Sequence, residues 1–264
     1  MIKKNGNNLN SLLKDLKQKR NKKKAKILSR FFKTGSGQYG EGDKFLGITV
    51  PESRKIAQKY GNLALPIISK LLKNKYHEVR LIALLVLVHK YKLSPRSDLG
   101  EIKKRKIVDF YLKNTKYINN WDLVDLSAHY IVGDYLYQTT VLKKAFTKIV
   151  LKNLTELNLN ILLKLAKSSS LWERRIAIIS TLAFIYKGES KWTFKIVKML
   201  IKDKHDLIHK ACGWMLREVG KKVSETELTL FLDAYGPQMP RIMLRYAIER
   251  LPENKRLYYL KLNK

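Results

Sequence analysis

Apolar residues recur three and four positions apart, with polar residues between them, through almost every long segment of the chain. That period suits α-helices, and no run alternates with period two for long enough to make a strand. The pattern predicts helices over Leu9–Phe32 with an interruption near Asn21, then Pro51–Tyr60, Leu63–Asn74, His77–Tyr91, Glu101–Asn114 and Trp121–Tyr137. It continues with Val141–Asn153, Asn158–Ser168, Leu171–Lys187, Trp192–Lys202, Asp206–Lys222, Glu225–Tyr235 and Pro240–Leu251. Gly, Pro, Asn, Asp and Ser occupy the breaks. Pro51 and Pro240 stand where a first-turn proline is tolerated, because that position's N–H lacks a helical partner anyway.

The helices come in pairs whose second members resemble one another. Arg175, Lys210 and Arg245 are separated by an identical step of 35, and a small residue follows each within two positions. Their frames are Leu171-Trp-Glu-Arg-Arg-Ile-Ala, Asp206-Leu-Ile-His-Lys-Ala and Pro240-Arg-Ile-Met-Leu-Arg-Tyr-Ala. His77-Glu-Val-Arg-Leu-Ile-Ala reads as an earlier, diverged copy. A period of this size with two helices per unit predicts an all-α, HEAT-like α-solenoid of stacked antiparallel helix pairs, forming one domain over residues 1–264. Residues 1–30 are expected to form a basic, peripheral N-terminal helical segment of that domain. Stacked units would repeat a basic side chain along one face, a concave positive track for a nucleic-acid backbone, although any surface helix carries Lys and Arg.

Charge narrows the partner. Lys and Arg number 54 against 22 Asp and Glu, a formal net charge of +32 that repels itself in a compact fold and is relieved by a polyanion. Codon bias, which enriches Lys, Asn and Ile, is the bland explanation of that excess, and charge alone does not separate DNA binding from an RNA- or ribosome-associated scaffold. With 45% hydrophobic residues and a mean hydropathy of −0.29 the chain has material for a core. Its longest apolar runs, such as Leu81–Val88, are far short of the ~20 residues a membrane span requires. Met1–Arg30 lacks the apolar stretch of a signal peptide, and the single Cys212 suits a reducing compartment, so cytoplasm, or a nucleus in a eukaryote, is expected.

Against this cationic background, Asn119-Asn-Trp-Asp-Leu-Val-Asp125 sets a tryptophan and a carboxylate one helical turn apart. A carboxylate facing a polyanion is kept for chemistry, or else is buried and paired. In chain order, Asn120-Trp-Asp-Leu-Val-Asp125, Trp172-Glu-Arg-Arg175 and Gly213-Trp-Met-Leu-Arg-Glu218 resemble the AlkD family of alkylpurine DNA glycosylases, over roughly residues 30–250. The resemblance implies a C-shaped helical-repeat protein with a basic concave face. It would remove cationic N3- and N7-alkylated purines from double-stranded DNA while the lesion stays stacked, unlike the base flipping usual for such enzymes. Carried over by position, Trp121 and Trp214 line the lesion, Asp125 is the catalytic carboxylate, and Arg175 and Arg217 contact the neighbouring strand. Lys210 and Arg245 join them as DNA contacts on the basic track.

Residues 121 and 125 are i and i+4, and 214 and 217 are i and i+3, so each pair shares a helical face. An alkylated purine is already a cation and leaves without a general acid. The oxocarbenium character that develops on the deoxyribose calls for a carboxylate, which also orients water, and indole faces favour cations. No cofactor and no metal is expected, and the protein is expected to act as a monomer. Core packing for the tryptophans and a helix ion pair for Asp125 are the structural alternatives, and the rival function is a HEAT-like scaffold that grips nucleic acid without chemistry. Lys33-Thr-Gly-Ser-Gly-Gln-Tyr-Gly-Glu-Gly-Asp43 lacks the Gly-Lys-Ser/Thr ending of a phosphate loop and reads as a flexible connection. His205 and His209 read as surface histidines, Cys212 as a small hydrophobe, and Lys17–Lys26 as a solvated basic face or a DNA-gripping arm.

Overall fold

The computed structural model describes residues 9–95, 97–142 and 159–262. Among them there is no strand, only helices and one isolated bridge between Lys44 and Tyr76. The helix expected over Val141–Asn153 lies, beyond its first two residues, outside the described residues. The chain forms two compact units, Met1–Ser127 and Ala128–Lys264.

The amino-terminal unit contains α1 (Leu9–Gln18), α2 (Lys22–Phe31), α3 (Val50–Lys59), α4 (Leu65–Leu72), α5 (His77–Lys92), α6 (Asp98–Lys113) and α7 (Trp121–Asp125). Helix α5 is its axis, with α3, α4, α6 and α7 packed around it and every residue from His77 to Val88 buried. A helix enclosed on all sides is apolar all round, which explains the run Leu81–Val88. Among the described residues no helix is long and apolar enough to cross a membrane.

The expected interruption near Asn21 is a cap. The Asn21 side chain accepts the Lys24 N–H at 3.0 Å and starts α2, while its own N–H donates to the Leu46 carbonyl at 2.9 Å. Gly47 permits this approach: its φ is 83°, and a Cβ there would stand 2.1 Å from the Asn21 carbonyl oxygen. The same segment is held from the other side by Glu78 in the first turn of α5. Its buried carboxylate accepts the N–H groups of Leu46, Gly47 and Ile48 at 2.9, 2.7 and 3.2 Å.

The carboxy-terminal unit begins with a π-helical turn, His129–Gly133, and continues with α8 (Asp134–Leu142), α9 (Asn160–Ala166), α10 (Leu171–Ser180) and α11 (Leu182–Ile185). There follow α12 (Lys191–Leu200), α13 (Asp206–Lys222), α14 (Glu225–Tyr235), α15 (Arg241–Ala247) and α16 (Glu253–Leu262). Helix α9 packs on α10, α12 on α13 and α13 on α14, while the repeat-equivalent α10, α13 and α15 lie side by side. Short turns between packed neighbours make the arrangement solenoid-like.

The recurring element is a joint. Arg174 Nη1 donates to the Ser168 carbonyl at 3.0 Å, His209 Nε2 to the Asp203 carbonyl at 2.5 Å, and in the amino-terminal unit Arg80 Nη1 to the Asn74 carbonyl at 3.0 Å. Each side chain reaches back six residues to the turn that precedes its own helix. The 35-residue step therefore runs from Arg174 to His209 as well as through the basic positions one residue later.

Two expected helices are broken. The one over Trp121–Tyr137 is interrupted at residues 126–127, where the Ser127 hydroxyl donates to the Leu123 carbonyl at 2.5 Å, and a π-helical turn follows at His129–Gly133. The one over Leu171–Lys187 breaks at Thr181. There the hydroxyls of Ser180 and Thr181 bond the carbonyls of Ile176 and Ile178, both at 2.7 Å, and Gly133 crosses so closely that a Cβ would lie 2.1 Å from the Ser180 carbonyl oxygen. Helix α16 was not expected, because its sequence lacks an apolar stripe and it buries only Tyr259.

Candidate functional site

Helix α7 carries the Trp–Asp pair and is a little over one turn long, too short to be held by its own backbone bonds. Side chains anchor its start. Asn120 accepts the Trp121 N–H at 2.8 Å and donates through Nδ2 to Asp43 Oδ2 at 3.2 Å. Asp122, buried, faces His77 Nε2 at 2.8 Å. His77 is 2% exposed and meets Asp43 Oδ2 through its other nitrogen at 3.2 Å, while Arg80 binds Asp43 Oδ1 at 2.6 Å. Burial works against charge on His77, but the Asp122 charge and the bonds to Asp122 and Asp43 overcome it and hold its pKa up at about 9. Burial likewise tends to raise the Asp43 pKa, yet His77, Arg80 and Asn120 together keep it below the usual carboxylate value.

Around this quartet runs an aromatic stack. Phe45 lies on His77 at 4.9 Å between ring centres, and Phe32 packs on Phe45 at 5.1 Å and on His77 at 4.8 Å. Trp121 stacks on Phe32 at 5.2 Å and 19°, with Phe31 edge-on at 5.8 Å. The indole is half-buried, whereas Phe31 is 61% exposed. Asp125 ends α7 and is also half-buried. Its charge reaches the buried Tyr111 phenol, whose pKa is raised first by burial and further by Asp125. Ser127, already donating to Leu123, accepts the Tyr111 hydroxyl at 2.9 Å.

In the carboxy-terminal unit α13 carries Trp214, half-buried, with its indole N–H donating to Glu218 Oε1 at 3.3 Å. Arg217 binds Glu249 and lies 3.6 Å from Glu218. Gly213, beside the tryptophan, lets α13 and α15 meet: a Cβ there would stand 2.4 Å from the Met243 carbonyl oxygen. Exposed Tyr186 has its phenol pKa raised by burial and by the charge of Glu218, and Lys222 Nζ sits 5.0 Å from its ring centre.

The basic residues separate. Arg175 is 5% exposed, and its Nη1 donates to the Leu207 carbonyl at 2.5 Å, stitching α10 to the first turn of α13. It occupies the interior rather than the surface expected of a DNA contact. Lys210 is half-buried and pairs with Asp206 at 2.8 Å. Arg245 is exposed and makes no ion pair among the described residues. His205 accepts the Leu207 N–H at 3.2 Å as the cap of α13, and buried Cys212 has its thiol pKa pushed up by burial.

Asp43, His77 and Asp122 escaped the sequence reading, because His77 lies 34 and 45 residues from its partners and no spacing rule joins them. The Gly-rich segment that ends at Asp43, expected to be a loose connection, is tied down there and by Gly37 N–H to Glu41 at 2.8 Å.

Among curated protein sequences none matches the chain. A solved structure described as a predicted DNA alkylation repair enzyme from Enterococcus faecalis is similar with a TM-score of 0.63, covering 89% of this chain and 98% of that one. Identity is 14%, so this likeness is one of fold. The family model described as DNA alkylation repair enzyme matches residues 12–251, nearly the whole chain. A match of that extent shows the family, and the chain belongs to the DNA alkylation repair enzyme family.

Proposed function

We propose that this protein is a metal-independent DNA glycosylase that hydrolyses the N-glycosidic bond of cationic N3- and N7-alkylated purines in duplex DNA, acting as a monomer on a base that stays stacked. The observation that carries the reading is Trp121 and Asp125 on one face of α7, a helix anchored at its start by Asn120 and Asp122. Asp125 stabilises the oxocarbenium character of the sugar and orients water. The indoles of Trp121 and Trp214 favour the cationic base and sugar. Arg245, Lys210 and Arg217 contact phosphates without reading sequence. Arg175, occupied inside the fold, supports the scaffold instead.

The test is release of methylated base from duplex DNA treated with a methylating agent. Wild type is expected to liberate N7-methylguanine and N3-methyladenine above the spontaneous rate, and no release would refute the enzyme reading. A second reading, a nucleic-acid grip without chemistry, is favoured by Trp121 already lying face to face with Phe32. Under either reading these three phosphate contacts predict that DNA affinity falls about fortyfold between roughly 50 and 200 mM salt. A flat salt dependence would count against the basic contacts.

A further inference from the structure

Both ring nitrogens of His77 face carboxylate oxygens, Asp122 Oδ2 at 2.8 Å and Asp43 Oδ2 at 3.2 Å. A neutral imidazole has one N–H and one lone pair, so either tautomer would aim a lone pair at an anion. The geometry fits the imidazolium. The ring is faced by Asp43 from the loop, Asp122 from α7, Arg80 from its own helix, and the uncharged rings of Phe32 and Phe45. With His77 charged, two carboxylates balance two cations; with it neutral, one buried negative charge is left without compensation. Asp122 depends on this contact, because its buried Oδ1 has no hydrogen-bond partner among the described residues.

We propose that His77 is a positioning residue for the glycosidic chemistry: by gripping Asp122 against Asp43 it fixes the orientation of α7, and with it Trp121 and Asp125. The proposal rests on the reading of those two residues given above. His77 touches neither of them directly in its polar contacts. Its influence runs through Asp122, next in sequence to Trp121, and through Phe32, whose ring contacts both His77 and Trp121. Displacing a reacting group by about 1 Å costs on the order of 100-fold in rate.

The sign of the pH effect follows from the direction of the shift. His77 titrates above its ordinary 6.5, so its contribution is complete below that pH and is lost as pH rises through about 9. The experiment compares wild type with His77→Gln, which keeps a donor toward Asp122 but loses the charge. Single-turnover base release by the variant should be slower by on the order of 100-fold, with Kd for DNA unchanged. The alkaline fall in the wild-type rate near pH 9 should vanish in the variant. Two further readouts separate positioning from folding. In wild type, ¹⁵N signals of the His77 ring should show both nitrogens protonated at neutral pH, and amide exchange of residues 121–127 should be faster in His77→Gln.

Pairing the substitution with Asp122→Asn, which restores a neutral amide pair, should recover part of the rate. If His77→Gln does not fold, Asp122→Asn alone serves in the same measurements, since it removes one charge with little change in shape. An unaltered rate and pH profile, or α7 amides that exchange as slowly as in wild type, would overturn the proposal. Failure of the glycosylase reading looks different, because wild type itself would then release no base.

Discussion

Replacing Asp125 by Asn is expected to lower single-turnover release of N7-methylguanine by about 10²- to 10³-fold, the loss seen when one preorganised group facing developing charge is removed. Asparagine keeps the shape and the hydrogen-bonding reach of the side chain but cannot offset positive charge on the sugar. DNA affinity should hold or rise, because a carboxylate near phosphates is repelled by them. Asp125 sits at the end of a helix anchored at its other end, so the substitution should leave the fold and the alkaline limb due to His77 intact. Gel analysis of abasic sites, with fluorescence anisotropy for binding, reads both quantities. An Asn variant that releases base as fast as wild type would remove Asp125 from the mechanism, and one that loses binding in parallel would make it a structural residue.

Glu78→Ala is expected to cost about 3–5 kcal/mol of stability, measured by chemical denaturation. The side chain is 2% exposed and closes three backbone donors at once, those of Leu46, Gly47 and Ile48. Truncation leaves all three without their acceptor in a site closed to water. Glu78→Gln should fall between, since one amide oxygen can still accept while the amide nitrogen meets donors. A loss below about 1 kcal/mol would mean that the segment rearranges to find other acceptors.

Much of the architecture was written in periodicity. Helices over Asp206–Lys222 and Glu225–Tyr235 fall where the pattern places them, and the break near Asn21 is a capping residue, because these features are local and amphipathic. The breaks at 126–127 and Thr181 were hidden for the opposite reason. Serine and threonine hydroxyls bending a helix look like ordinary polar positions until the crossing with Gly133 is known. The candidate residues divide in the same way. Trp121, Asp125, Trp214 and Arg217 sit in short motifs with helical spacing. The charged quartet behind Trp121 draws on residues 43, 77, 80 and 122, whose meeting is a property of packing. Arg175 shows the limit of a repeat argument: an equal step says that positions are equivalent in the fold, while exposure along 175, 210 and 245 runs from interior to surface.

The turn closures by Arg80, Arg174 and His209 carry an implication for how such a chain changes in length. Each hinge is locked by a side chain belonging to the rod that follows it, so a segment of about 35 residues brings its own fastening when copied or lost. Growth of the array then needs a matching apolar flank on the neighbour and no new latch, which favours duplication of whole segments over insertion within one.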